Sequence, residues 1–164
     1  MNKLRLLLVS VFFVSINICS AQKATTRYIE KFLPLAKELS TQWGIPVAII
    51  LGVSIHESGS GTSINCRQLH NYFGVKGRNH LKKRHTKYKQ YDSARASFED
   101  FCRIVSTKKY YPKLKGTFDY KIWLSAMNKR KYASAKEVWI HRIKLIIARQ
   151  KLYQYDQAVD STAQ

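Results

Sequence analysis

The sequence predicts a predominantly α-helical α+β domain with a small non-helical lobe, and three observations carry that prediction. Apolar residues recur at helical spacing in four segments, one twelve-residue stretch is apolar on nearly every face, and one basic segment breaks the pattern. The chain has 164 residues, 45% of them hydrophobic, with only 7 Gly and 3 Pro. That suffices for one packed domain and excludes a disordered, collagen-like or low-complexity chain. Three Cys are too few for a disulfide-built mini-scaffold. With 29 Lys+Arg against 10 Asp+Glu, the formal charge is +19. Such a charge points to polyanionic surroundings: nucleic acid, anionic envelope polymers or acidic lipid headgroups.

The amino end reads as a targeting segment. Lys3 and Arg5 precede an apolar run from Leu6 to Ile18, and Cys19-Ser20-Ala21 places small residues at the −3 and −1 positions of a cut after Ala21. This is the pattern of a secretory signal peptide, and the run is shorter than the ~20 apolar residues a membrane span needs. The alternatives are an uncleaved anchor and a lipidated Cys19, the latter with a poor lead-in because bulky Ile18 precedes it. The division expected is a signal peptide over 1–21, one domain over 22–155 and a flexible tail over 156–164. Export to the periplasm or the medium follows, without stable membrane insertion. Cys66 and Cys102 are then the two remaining cysteines, either bridged in an oxidising compartment or held as buried thiols. No Cys/His spacing fits zinc, so neither a metal nor another cofactor is expected.

Along the mature chain, Tyr28, Ile29, Phe32, Leu33, Ala36, Leu39 and Trp43 keep helical spacing, with Pro34 expected to split or kink that helix. Gly44 is a plausible stop, and Pro46 suits the first turn of the next helix. Residues 46–57 are apolar almost throughout, so they are expected to form a buried central helix about 18 Å long, ended by Ser58-Gly59-Ser60-Gly61. Thr62 is the expected cap of a short helix through Leu69. Residues 78–91 are polar and basic with interspersed Tyr88 and Tyr91, and read as a loop or small β-hairpin. Helices are expected over 93–107, 119–129 and 134–153, the last with Val138, Trp139, Ile143, Ile146 and Ile147 inward. From Asp156 the tail is expected to fray.

Acids are scarce, and most lie on faces that read as solvated. Glu57 does not. It ends the most apolar segment of the chain and precedes a glycine-rich break. Partial burial and the negative end of the helix dipole both disfavour a charged carboxylate there. A carboxyl kept protonated near neutral pH serves as a general acid, and a glycine turn leaves room for a substrate. The plain alternative is a Glu that emerges into water and pairs with one of many Lys.

Four motifs in order widen the pattern. They are Ile45-Pro46 through Glu57-Ser58-Gly59; Asn71-Tyr72-Phe73-Gly74-Val75-Lys76-Gly77; Tyr91-Asp92-Ser93 with Ser97-Phe98-Glu99-Asp100-Phe101; and Tyr132-Ala133. Together they resemble the bacterial endo-β-N-acetylglucosaminidase family, glycoside hydrolase family 73, over roughly residues 28–153. The resemblance implies a lysozyme-like fold, a helical domain with a small β-lobe flanking a substrate groove. It implies cleavage of the peptidoglycan β-1,4 bond after N-acetylglucosamine. It places Glu57 as the general acid, Asn71, Tyr72 and Phe73 in a groove-lining motif, and Tyr132 near the reaction centre. Two departures stand out: Ser60 replaces the family's usual Trp after Glu-Ser-Gly, and no acid lies between Glu57 and Asp92.

The missing acid shapes the expected mechanism. Two-carboxylate glycosidases hold their acids ~5 Å apart when retaining and ~6.5–9.5 Å apart when inverting. No second member is evident here, which favours attack by the substrate's own 2-acetamido group. Asp92 is the fallback second acid, and helix capping is its plainer role. The expected partners are peptidoglycan strands, with anionic envelope polymers attracted to the basic lobe. No nucleic-acid motif is present, and a monomer is expected. Competing readings are a muramidase or lytic transglycosylase of the same fold, and an inactive, basic envelope-binding protein.

Overall fold

The computed structural model describes residues 3–82, 85–129 and 136–156, with 3–21, 129 and 136 as backbone only. Among the described residues seven helices follow in order: α1 (Lys3–Trp43), α2 (Val47–Ser58), α3 (Ile64–Leu69), α4 (Ala94–Ser106), α5 (Tyr111–Leu114), α6 (Tyr120–Lys129) and α7 (Lys136–Arg149). Helix α2 is the hub. Helices α1, α6 and α7 pack around it, and every residue from Val47 to Ile55 is buried. Each large aliphatic side chain so buried contributes roughly 1.5–3 kcal/mol.

Pro34 lies inside α1 without ending it, contrary to the expected break. The same apolar stripe continues on both sides of the proline, as Tyr28, Ile29 and Phe32 before it and Ala36 and Leu39 after it, all buried in the core. A proline within a helix costs ~3 kcal/mol, and burial of that stripe exceeds it. Gly44 ends the helix as expected, with φ +62°. A Cβ there would lie 2.8 Å from the Gly116 nitrogen, and Gly116 N–H in turn donates to the Gly44 carbonyl at 2.9 Å. Close backbone approach therefore requires glycine as much as the dihedral does.

Other caps shift by one residue from their expected places. Thr62 donates its hydroxyl to the Gly59 carbonyl, and Ser63 accepts from Cys66 N–H to cap α3. Ser93, not Asp92, caps α4 by accepting from Ala96 N–H. Trp123 anchors α6, fully buried and donating its indole N–H to the Thr117 carbonyl at 2.6 Å.

The non-helical lobe is a minimal hairpin. Lys76 and Tyr88 form an antiparallel bridge, flanked by Gly77 N–H to Lys87 O at 2.9 Å and Lys89 N–H to Val75 O at 2.8 Å. The Asn79 amide reinforces it, donating to the carbonyls of Thr86 and Tyr88. Cys66 and Cys102 are free, buried thiols, so the bridged alternative is not realised. Burial pushes the Cys102 thiol up to about 12. Among the described residues no helix is long and apolar enough to cross a membrane.

Asp156 corrects the expectation that the tail frays from that residue. Its side chain is 3% exposed, and Oδ1 accepts from Ala48 N–H at the start of α2. Burial raises this carboxyl to about 7, against the pull of the Ala48 and Val47 amides. An unfolded Asp titrates near 4, so between pH ~4 and ~7 the folded chain holds a proton that the unfolded chain has lost. The stability this proton confers is complete below pH ~4 and is lost as pH rises through about 7, by at most ~1.4 kcal/mol per pH unit. The Asp156→Asn variant is expected to flatten that slope and to melt higher than the wild type at pH 8. Calorimetry from pH 4 to 8 checks this, and an unchanged slope would contradict it.

Candidate active site

Helix α2 delivers Glu57 to a junction of three elements. The helix closes on Gly59, whose N–H bonds to the Ile55 carbonyl in a left-handed cap. Ser58 fastens the turn: its hydroxyl donates to the Ser54 carbonyl at 2.6 Å and accepts from Gly61 N–H at 2.9 Å. Ser60, where the resembled family carries Trp, instead bonds the Thr25 hydroxyl of α1 at 2.9 Å. The Glu57 carboxyl is thereby held at a fixed point, half-buried.

Both carboxyl oxygens have a defined neighbour. Trp139 of α7 donates its indole N–H to Glu57 Oε1 at 2.8 Å. Oε2 lies over Gly74, where a Cβ would approach it to 3.2 Å and Tyr88 Cε1 to 3.9 Å. One oxygen is thus anchored, and the other faces a side-chain-free backbone beside an aromatic ring of the hairpin. His56, the preceding residue, leaves along another face of α2. Burial keeps its imidazole below the ordinary histidine range, with Glu57 opposing that and Arg142 adding to it.

The Asn71-Tyr72-Phe73 segment shapes this junction through its buried side chains. Asn71 Nδ2 donates to the carbonyls of Val75 and Lys89, and Oδ1 accepts from Val75 N–H at 3.1 Å. One amide therefore closes the turn and ties it to the far strand of the hairpin. The Tyr72 ring sits among Tyr28, Phe32 and Phe98. Phe73 stacks on Phe101 at 4.2 Å. Asn71 and Phe73 are each only 2% exposed. All three hold Gly74 in place, and each aromatic pair adds roughly 0.5–1.5 kcal/mol beyond its burial.

The remaining sequence candidates sit elsewhere. Asp92 is exposed before α4. Tyr132 lies outside the described residues. Asp100, in a motif quoted for the resemblance, is a structural hub: it accepts from Lys89, Tyr91 and Arg103. Burial pushes its carboxyl up, and those three donors together outweigh the burial and hold it below the ordinary range. Among the described residues no three His, Cys, Asp or Glu side chains gather as metal ligands. Residue order places Trp139 only in the core. A buried indole usually donates its N–H to a partner, and an acid ending the most apolar helix is a natural acceptor.

The mostly helical domain with its small hairpin is that of a lysozyme-like glycoside hydrolase. The family model described as mannosyl-glycoprotein endo-beta-N-acetylglucosaminidase matches residues 33–152, and the chain belongs to this glucosaminidase family. Solved structures with the same fold include the catalytic domain of the autolysin Auto from Listeria monocytogenes. It is 18% identical with TM-score 0.68, over 81% of this chain and 88% of that one. A peptidoglycan hydrolase mutant from Sphingomonas sp. A1 is 21% identical with TM-score 0.63, over 79% and 96% of the two chains. A C-terminally truncated glycoside hydrolase domain of FlgJ from Salmonella typhimurium is 20% identical with TM-score 0.63, over 77% and 97%. No curated protein matches significantly. The mostly helical, lysozyme-like expectation agrees with these folds.

Proposed function

We propose that this glucosaminidase cuts the β-1,4 bond after N-acetylglucosamine in peptidoglycan, with Glu57 as the general acid. The observation that carries the reading is the divided carboxyl: Oε1 held by the Trp139 indole, Oε2 directed over Gly74. The Sphingomonas relative, a peptidoglycan hydrolase by name, supports the substrate.

In this mechanism the Glu57 proton passes to the bridging oxygen as the C1–O bond breaks. The carbonyl oxygen of the 2-acetamido group attacks C1 and forms a cyclic oxazolinium. Water then adds at C1, the C1–acetamido bond opens, and the water's proton returns to Glu57. The scheme needs one protein carboxyl. That fits a chain in which Glu38 and Glu99 pair with Arg95, Asp119 bonds Lys121 N–H, and Asp100 and Asp156 are committed to the fold. Tyr132 steadies the developing charge, a role resting on the resemblance alone. Asn71, Tyr72 and Phe73 serve the groove by fixing its backbone. Residues 1–21 direct export, and the basic hairpin attracts anionic wall polymers.

Mass spectrometry of released muropeptides tests the bond cut. Reducing N-acetylglucosamine ends are expected; reducing muramic acid or anhydro ends would assign the chain to muramidases or transglycosylases. In the same assay Asp92→Asn is expected to keep kcat within about twofold. A deep loss there would make Asp92 the second acid and end the substrate-assisted scheme.

A further inference from the structure

A cleft of about 570 Å³ opens between the start of the described side chains of α1, the end of α2 and the length of α7. It borders the catalytic junction without including Glu57. His56 lines it next to Glu57, and Arg142 lines it one helical turn beyond Trp139. Arg149 lines it two turns further on, and the Gln22 and Gln150 amides bond each other at its far end. The floor between the arginines is apolar, formed by Ile55, Leu145 and Ile146.

Arg142 and Arg149 are seven residues apart, so they share a face of α7 about 10 Å apart along the axis. Among the described residues neither guanidinium forms an ion pair; the salt bridges run through Lys89, Arg95 and Arg103 instead. In a chain this short of acids, two unpaired guanidiniums flanking an apolar floor match an amphipathic ligand with carboxylates at both ends. Guanidinium takes carboxylate bidentately. In an intact strand the sugars offer no such group, because each muramic lactyl carboxyl is tied up in its amide to the peptide; the peptide itself carries free carboxylates. An extended peptide of three to four residues spans roughly 10–14 Å, which is the reach from Arg142 to the far end.

We propose that the cleft seats the acidic stem peptide of the strand being cut, its carboxylates on Arg142 and Arg149. The inference rests on the peptidoglycan reading and adds a specificity site to it. His56 offers a ring nitrogen for a hydrogen bond at the catalytic end, and the Gln22–Gln150 pair bounds the other.

Two measurements test it on the full chain and an Arg142→Gln/Arg149→Gln variant, whose replaced side chains are exposed. The first is steady-state cleavage of strands with intact peptides and of strands stripped of them, the lactyl carboxyls so freed being capped as simple amides. Stripping is expected to raise the wild-type KM about tenfold, the worth of one charge-assisted contact, with kcat little changed; the variant is expected to treat both substrates alike. The second is an NMR titration with a synthetic acidic tetrapeptide. It is expected to shift the Gln22 and Gln150 amides in the wild type and not in the variant. Equal tetrapeptide binding by both proteins overturns the proposal, as does polyphosphate displacing the tetrapeptide at lower concentration. Failure of the wild type to cut either substrate would overturn the proposed function, while the titration decides the cleft by itself.

Discussion

Replacing Glu57 with Gln is expected to lower kcat on peptidoglycan by roughly 10²–10⁴-fold, the contribution typical of a positioned general acid. The substitution is clean for structural reasons. Gln has the shape of Glu, and its amide oxygen can still accept the Trp139 N–H that reaches Glu57 Oε1 at 2.8 Å. The turn beyond it is held by Ser58 and Gly59, not by the carboxyl. Only the transferable proton is lost. Melting temperature and KM should therefore stay close to wild type while turnover collapses. Hydrolysis at an undiminished rate would remove Glu57 from the chemistry, and with it the mechanism proposed here.

How far this site was readable from residue order depends on the range of the interaction involved. Helix α2 was legible because its determinants are local: apolar residues on every face, Pro46 before them and Gly59 after them. Glu57 was legible for the same reason, being the one acid at the tip of that segment. Cap positions slipped by one, Thr62 for Ser63 and Asp92 for Ser93, because adjacent polar residues compete for the same N–H groups and only the backbone path decides. Pro34 misled because its cost is local whereas the stripe that overrides it gains its energy by packing on other helices.

Long-range partnerships were not legible. Asp156 looked like the first residue of a tail, yet its acceptor role depends on an N–H 108 positions earlier, at Ala48. The helical periodicity of Trp139 points to the core, which is half its role; its N–H reaches an acid 82 residues away. Asn71, Tyr72 and Phe73 had the right neighbourhood, but residue order does not say which way a turn points its side chains. Here the polar one and the aromatic ones all turn inward, so what the motif presents to Glu57 is the one residue without a side chain.

That residue supports the second large prediction. Gly74→Ala is expected to lower kcat by about three- to tenfold and to destabilise the domain by ~1–2 kcal/mol. The stability loss comes from φ, which is +65° at Gly74 and costs an L-residue about that much. The kinetic loss comes from space. The new methyl would stand 3.2 Å from Glu57 Oε2 and 3.9 Å from Tyr88 Cε1, so the carboxyl has to give way. It cannot swing freely while Trp139 holds Oε1, and the few tenths of an ångström by which it must yield are a fraction of the ~1 Å displacement that costs about 10²-fold. A double-mutant cycle separates the two causes. Trp139→Phe releases the anchored oxygen, so adding Gly74→Ala to it should cost less in kcat than Gly74→Ala alone, while the stability penalty from φ persists. Strict additivity in kcat would mean that the methyl and the carboxyl do not meet, and that Gly74 matters only for the path of the backbone.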